Sequence, residues 1–297
     1  MTELTYVATL DVPVARLGEG LYFCSHEMAL YWVDILQPRL FRQDLNNQSI
    51  TIQEFDEAIC WVNKDINGKL VIGCNSGIFH YSFKSQRKTL LWRNREVKNN
   101  VRLNDAKCDR SGRLYFGTLD NSETKAKGRL YTIDNSHSCI TVDTGYTVSN
   151  GPAFNLSGDI IYSVSSTERT IYKIQYSKQH NAFSKSVFIK WPSSQGYPDG
   201  LTVDNQNNLW IASWGGAAVY CYSEQGKLVI KVSVPALYVT NITFAGPRLN
   251  DVYITSASHT MTETELTKFP DSGKVFHYKA DNFNGVAETA IRYLPKS

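Results

Sequence analysis

Residues 196–216, Gly196-Tyr-Pro-Asp-Gly-Leu-Thr-Val-Asp-Asn-Gln-Asn-Asn-Leu-Trp-Ile-Ala-Ser-Trp-Gly-Gly216, read as an acid-bearing turn followed by two short strands. Pro198 fixes its own φ, and Gly200 tolerates backbone angles that other residues avoid, so Asp199 between them is held in a set direction. Leu201-Thr-Val203 reads as one strand, Asp204 to Asn208 as a polar turn, and Leu209 to Ala212 as a second strand. Gly215-Gly216 then reads as the turn into Ala218-Val-Tyr-Cys-Tyr222. The pattern is an acid presented at the lip of a small antiparallel sheet.

The strand–turn–strand part of this unit recurs along the chain. Leu30-Tyr-Trp-Val-Asp34 precedes Arg39-Leu-Phe-Arg-Gln-Asp44, and Lys69-Leu-Val-Ile-Gly73 precedes Gly77-Ile-Phe-His-Tyr81. Arg113-Leu-Tyr-Phe-Gly117 precedes Gly128-Arg-Leu-Tyr-Thr-Ile133, and Asp159-Ile-Ile-Tyr162 precedes Thr170-Ile-Tyr-Lys-Ile174. The last copy is Asp251-Val-Tyr-Ile-Thr255 with Gly273-Lys-Val-Phe-His-Tyr278. With residues 30, 70, 114, 160, 209 and 252 as anchors, the steps are 40, 44, 46, 49 and 43, the period of propeller blades. One such unit cannot bury both faces; six in a ring can, and the ring leaves few exposed edges. The expectation is an all-β chain, a single six-bladed β-propeller domain over residues 1–297; a β-sandwich does not account for so regular a period. Leu4–Leu10 and Val286–Tyr293 both read as strands and are expected to share the closing blade. His259–Phe269 is expected to hold one short helical turn or an ordered loop.

Composition narrows the function. A net charge of +3 without a Lys/Arg-rich run does not suggest a nucleic-acid groove. No apolar run approaches the roughly 20 residues of a membrane helix, and Met1-Thr-Glu-Leu-Thr-Tyr6 lacks the basic-then-apolar order of an export signal. The six cysteines form no C-x-x-C pair and read as buried thiols in a reducing cytoplasm. A nucleophilic cysteine finds no histidine-rich neighbourhood, and G-x-S-x-G, P-loop and H-E-x-x-H patterns are absent.

In a propeller, the segments entering the innermost strands gather at one mouth of the central channel. Four polar segments stand in phase with the repeat: Leu17-Gly-Glu-Gly20, Arg102-Leu-Asn-Asp105, Ser149-Asn-Gly-Pro152 and Tyr197-Pro-Asp-Gly200. Each alone is a plain turn signature ahead of a strand pair; four in phase are not readily coincidence. Glu19 and Asp199 supply charged oxygens, Asn104 and Asn150 neutral ones. Such a set suits a hard divalent cation, Ca²⁺ first, with Mg²⁺ or Mn²⁺ as alternatives. Zn²⁺ usually takes His or Cys, which these segments lack, although an open oxygen site accepts it. His80 and His277 fall in strands and read as structural or surface groups; His26 and His259 reach the mouth only if their loops fold that way.

These motifs, together with Gly112-Arg113, Pro198-Asp-Gly-Leu-Thr-Val-Asp204 and Trp210-Ile-Ala-Ser-Trp-Gly-Gly216, resemble the senescence-marker-protein-30/gluconolactonase/luciferin-regenerating-enzyme family in order and approximate spacing over about residues 14–260. The resemblance implies a six-bladed propeller holding one divalent metal ion, with protein ligands at Glu19, Asn150 and Asp199. It implies substrate contacts from Arg102 and Asn104, and hydrolysis of sugar lactones such as gluconolactone with Asp199 as general base. Asp204, in the same motif, is expected to brace the turn before Leu209 rather than bind metal. The expected partner is a small lactone, with no nucleic acid or membrane, and the chain is expected as a monomer or weak homo-oligomer. Two other readings stay open: a calcium-binding propeller without catalysis, and a hydrolase of a non-sugar ester on the same metal. Leu21-Tyr22-Phe23 replaces the family's usual Pro and aromatic after Gly20, Ser165 stands where an Asp is common, and the Asp120–Lys127 loop follows no family pattern.

Overall fold

The computed structural model describes residues 4–177 and 182–294. β1 (Leu4–Thr9) is followed by β2 (Gly18–Cys24), β3 (Ala29–Asp34), β4 (Arg39–Asp44) and β5 (Ile50–Glu54), the last four forming one sheet. β6 (Ile59–Lys64), β7 (Leu70–Cys74), β8 (Gly77–Ser82) and β9 (Arg87–Arg93) form the next. β10 (Val101–Cys108), β11 (Leu114–Asp120), β12 (Gly128–Ile133) and β13 (Cys139–Tyr146) form a third, and β14 (Ser149–Phe154), β15 (Ile161–Ser165), β16 (Thr170–Ser177) and β17 (Ala182–Lys190) a fourth. β18 (Tyr197–Val203), β19 (Leu209–Trp214), β20 (Ala218–Tyr222), β21 (Leu228–Ser233), β22 (Tyr238–Ala245), β23 (Asp251–Ala257) and β24 (Val275–Ala280) join β1 in an eight-stranded sheet.

The sequence repeat marks real hairpins. Its six quoted pairs are β3–β4, β7–β8, β11–β12, β15–β16, β19–β20 and β23–β24, all antiparallel. β3, β7 and β15 bury every residue and are mostly apolar, whereas β5 and β9 bury none and β21 buries only Val232. The chain is all-β and propeller-like. Where the period predicts six equal sheets, the pairing gives four four-stranded sheets and one of eight. The eight-stranded sheet contains β18–β21 and β22–β24 with β1, joined among the described residues where Trp214 of β19 pairs with Tyr238 of β22. Those two rings stack with centroids 4.4 Å apart, and this contact carries one ladder into the next.

The chain divides into two compact units. Unit 1 takes the residues up to Asp56 together with Trp191–Glu288; its core includes Trp32 stacked on Phe41 at 5.0 Å, and Trp210 wedged edge-on against Phe244 and Phe283. Unit 2 takes Glu57–Lys190 and the segment from Thr289; its core packs Tyr115, Leu130, Tyr146, Phe154 and Ile174. The helical turn expected within 259–269 is α1 (Glu263–Lys268), opened by a capping box in which Thr262 and Glu265 satisfy each other's backbone. Among the described residues no helix is long and apolar enough to cross a membrane.

The two chain ends do not pair as expected. β1 pairs with β24, whose other edge is taken by β23, so no edge of β24 remains for residues 286–293. That segment instead makes isolated bridges in unit 2, Ile291 with Asp65 and Tyr293 with Arg113. The six cysteines are free thiols, five of them buried. Burial pushes the Cys139 thiol up to about 12, and the Asp134 charge adds to this, so it is not a thiolate at neutral pH.

Candidate functional site

The first strand of each repeat loses register with its neighbour once. The shifts fall between Glu19 and Tyr22 in β2, Ile59 and Trp61 in β6, and Leu103 and Ala106 in β10. They recur between Asn150 and Ala153 in β14, Pro198 and Leu201 in β18, and Val239 and Asn241 in β22. A bulge bends its strand and re-aims the side chains at it. Glu19, Asn104, Asn150 and Asp199 all lie at these bulges, so the four polar residues stand within strands and not in the loops ahead of strand pairs that the sequence suggests. Gly and Pro punctuate a bulge as they punctuate a turn; Gly20 and Gly151 take φ of 61° and 74°, which other residues resist.

In unit 2, β10 packs against both β6 and β14. Two residues 46 positions apart meet there: Asn104 Nδ2 donates to Asn150 Oδ1 at 2.7 Å and to the Ser149 carbonyl at 2.8 Å. Arg102 Nη1 donates to Asn104 Oδ1 at 2.7 Å and to the Leu103 carbonyl at 2.9 Å, which turns the Asn104 amide nitrogen toward Asn150. Asn150 Nδ2 donates to Ser166 Oγ at 3.0 Å. The Asn150 amide is thus oriented at both ends, and it is buried, as is Asn104.

In unit 1, β22 packs against both β2 and β18. Glu19 and Asp199 are buried. Glu19 Oε2 accepts from the Gly20 amide at 3.1 Å and from Asn241 Nδ2 at 3.0 Å. Asn241 is the polar residue that sequence reading missed: Tyr238-Val-Thr-Asn-Ile-Thr243 holds an amide at the phase of the other four segments, but no Gly or Pro marks it. Gly200 makes room for it, since a Cβ there would lie 2.6 Å from Asn241 Cγ and Nδ2 and 2.8 Å from the Thr240 carbonyl. Gly200→Ala is therefore expected to destabilise the chain by about 1–3 kcal/mol, read as a fall in thermal midpoint.

Asp204 does what the sequence suggests. It sits at the far end of β18 from Asp199, and its carboxylate accepts from the Gln206 and Asn208 amides, Asn208 Nδ2 and Trp210 Nε1, each at 2.9 Å. Asp65 and Asp109 brace the corresponding turns, each accepting from backbone amides two and four residues on. The Asp120–Lys127 loop wraps one carboxylate: Asp120 accepts from Ser122, the Thr124 and Lys125 amides, and Lys127 Nζ. The hydroxyl of Ser122 and the charge of Lys127 hold Asp120 well below the usual carboxylate range. Ser165 donates to Glu168, so the carboxylate beside this position comes from three residues downstream.

His80 and His277 pair with Asp65 and Asp251 at 3.0 and 2.9 Å, in keeping with structural roles, and His259 Nδ1 meets Arg16 at 3.1 Å. Among the described residues no three His, Cys, Asp or Glu side chains cluster as a metal site. In unit 1 the buried bulge residues Glu19 and Asp199 carry carboxylate oxygens, and in unit 2, taken by itself, the buried Asn150 carries an oriented amide oxygen. All three are hard oxygen donors, the kind that Ca²⁺ or Mg²⁺ takes.

Residues 17–258 match the model of the SMP-30/Gluconolactonase/LRE-like region. The pentonolactonase XacC of Haloferax volcanii is 33% identical over 243 residues, 82% of each chain. A 6-deoxy-6-sulfogluconolactonase of Pseudomonas putida is 28% identical, over 92% of this chain and 94% of its own. The crystal structure of a calcium-binding protein, regucalcin, from Agrobacterium tumefaciens superposes with a TM-score of 0.90 at 23% identity, over 97% of this chain and 98% of that one, and this likeness is one of fold. By the span of the match and its in-phase motifs, the chain belongs to the SMP-30/gluconolactonase/LRE-like family.

Proposed function

We propose that this chain is a divalent-metal-dependent lactonase that opens small sugar lactones on a single six-bladed β-propeller. Relatives named as pentonolactonase and 6-deoxy-6-sulfogluconolactonase support the reaction class. The six-blade count is supported by six bulged first strands, each opening a succession of antiparallel strands. One observation carries the assignment of residues: four polar segments spread over the chain each place a buried oxygen-bearing side chain at or beside the bulge of a first strand.

In this reading Glu19, Asn150 and Asp199 are the protein ligands of one cation, and the all-oxygen set favours Ca²⁺. The bound cation supplies polarisation of the lactone carbonyl and stabilisation of the charge that develops on its oxygen. Asp199 takes the proton from the attacking water. Arg102 and Asn104 hold the sugar hydroxyls or ring oxygen. Asn104 is suited to this because Arg102 and Asn150 already fix its amide, so little side-chain freedom is lost on binding.

A calcium-binding propeller without catalysis is the second reading, favoured by the likeness to regucalcin of Agrobacterium tumefaciens, a calcium-binding protein. A panel of sugar lactones read by acid release separates the two. The metal-stripped chain is expected to be inactive, and Ca²⁺ or another divalent ion to restore saturable hydrolysis. No hydrolysis of any lactone with any divalent ion would favour the binding protein.

A further inference from the structure

We infer that Asn241 is a positioning residue that fixes the carboxylate of Glu19 for metal binding. The inference rests on the reading of Glu19 as a ligand and extends it to a residue that no motif marks. Asn241 lies at the bulge of β22, and β22 packs against the two strands that carry the acids of unit 1. The Ile242 amide, which can only donate, meets Asn241 Oδ1 at 2.8 Å. This assigns the oxygen end of the amide and leaves the nitrogen to donate to a carboxylate oxygen of Glu19. The contact with Glu19 Oε2, at 3.0 Å, has the same polarity, so two independent partners require one orientation. A side chain fixed this way can hold another in place.

Asn241 also touches the second acid's bulge. Gly200, next to Asp199, has no side chain where one would overlap the Asn241 amide. One buried amide therefore borders both acid-bearing bulges, at Glu19 directly and at Gly200 by close packing. Holding a ligand's carboxylate by its non-ligating hydrogen bonds is how outer partners tune a metal site, and losing one costs about 10–100-fold in affinity. Removal of Asn241 takes one side-chain hydrogen bond from Glu19 Oε2, leaves that of the Gly20 amide, and deletes no ligand.

The test uses the full chain stripped of metal. Ca²⁺ affinity is measured by titration calorimetry, and coordinated waters are counted from Tb³⁺ luminescence lifetimes in H₂O and D₂O. Asn241→Ala is expected to weaken Ca²⁺ at least about tenfold and to leave Tb³⁺ with about one more coordinated water. Should Asn241→Ala fail to fold, Asn241→Ser, which keeps a polar group in that buried spot but loses reach to Glu19, carries the same expectation. A merely structural residue would lower the melting point of the metal-free chain and leave both metal readouts at wild-type values, and that result would overturn the inference. Glu19→Gln run in parallel separates the two levels. If it weakens Ca²⁺ and Asn241→Ala does not, the positioning role alone falls. If neither changes Ca²⁺ binding, the metal reading of Glu19 falls and the inference falls with it.

Discussion

Asp199→Asn is expected to lower kcat on every lactone that the wild-type chain opens by about 10²–10⁴-fold, the usual contribution of a positioned general base. The substitution is nearly isosteric and lies at a bulge already held by Pro198 and Gly200, so the fold is expected to survive. Two losses are combined in it. The amide cannot accept a proton from water, and the proposed cation loses one of two negative ligands. Measuring kcat at saturating metal restores occupancy of the cation site, so a weaker affinity does not count toward the loss. A folded Asp199→Asn variant with wild-type kcat at saturating metal would take the base role away from Asp199.

Asp204→Ala is expected to cost about 3–5 kcal/mol of stability, the upper end for a single substitution. The wild-type carboxylate is fully buried and satisfies four donors at once. Removing it orphans the Trp210 indole N–H inside an apolar cluster with Phe244 and Phe283. Each buried donor left without a partner costs about 1–3 kcal/mol, although backbone relaxation recovers some of this. The turn also sets where β19 begins, and β19 is the strand on which β18 is registered. Urea unfolding is expected to show the loss in the midpoint, with activity per folded molecule retained because Asp204 is at the opposite end of β18 from Asp199. A change below about 1 kcal/mol would mean that the turn forms without its brace.

Much of this architecture is legible in the sequence because hairpins are local. Leu209–Ala212 and Ala218–Tyr222 announce a strand pair through alternation and a Gly-Gly turn, and β19–β20 is that pair. The brace at Asp204 is legible for the same reason, since an Asp ahead of a short polar turn bonds its own backbone. What fails is what depends on distant edges. Residues 286–293 alternate like a strand, but β24 already has two partners, and strand propensity does not say which edges are free. The bulges fail differently: Pro198 and Gly200 look like a turn because Gly and Pro serve both purposes. Asn241 gives no local sign at all, because its importance comes from Glu19, 222 positions away. The Asp120–Lys127 loop is organised by hydroxyls, amides and a lysine gathering on one acid, which no spacing announces.

The claim beneath the proposed chemistry is that Glu19, Asn150 and Asp199 bind one ion. Crystals grown with Ca²⁺, or with Mn²⁺ to give an anomalous signal, test it most directly. The account predicts one strong metal peak with an oxygen of each of these three side chains at about 2.3–2.6 Å for Ca²⁺. A peak elsewhere in the chain, or no peak while Glu19, Asn150 and Asp199 point away from one another, would contradict it.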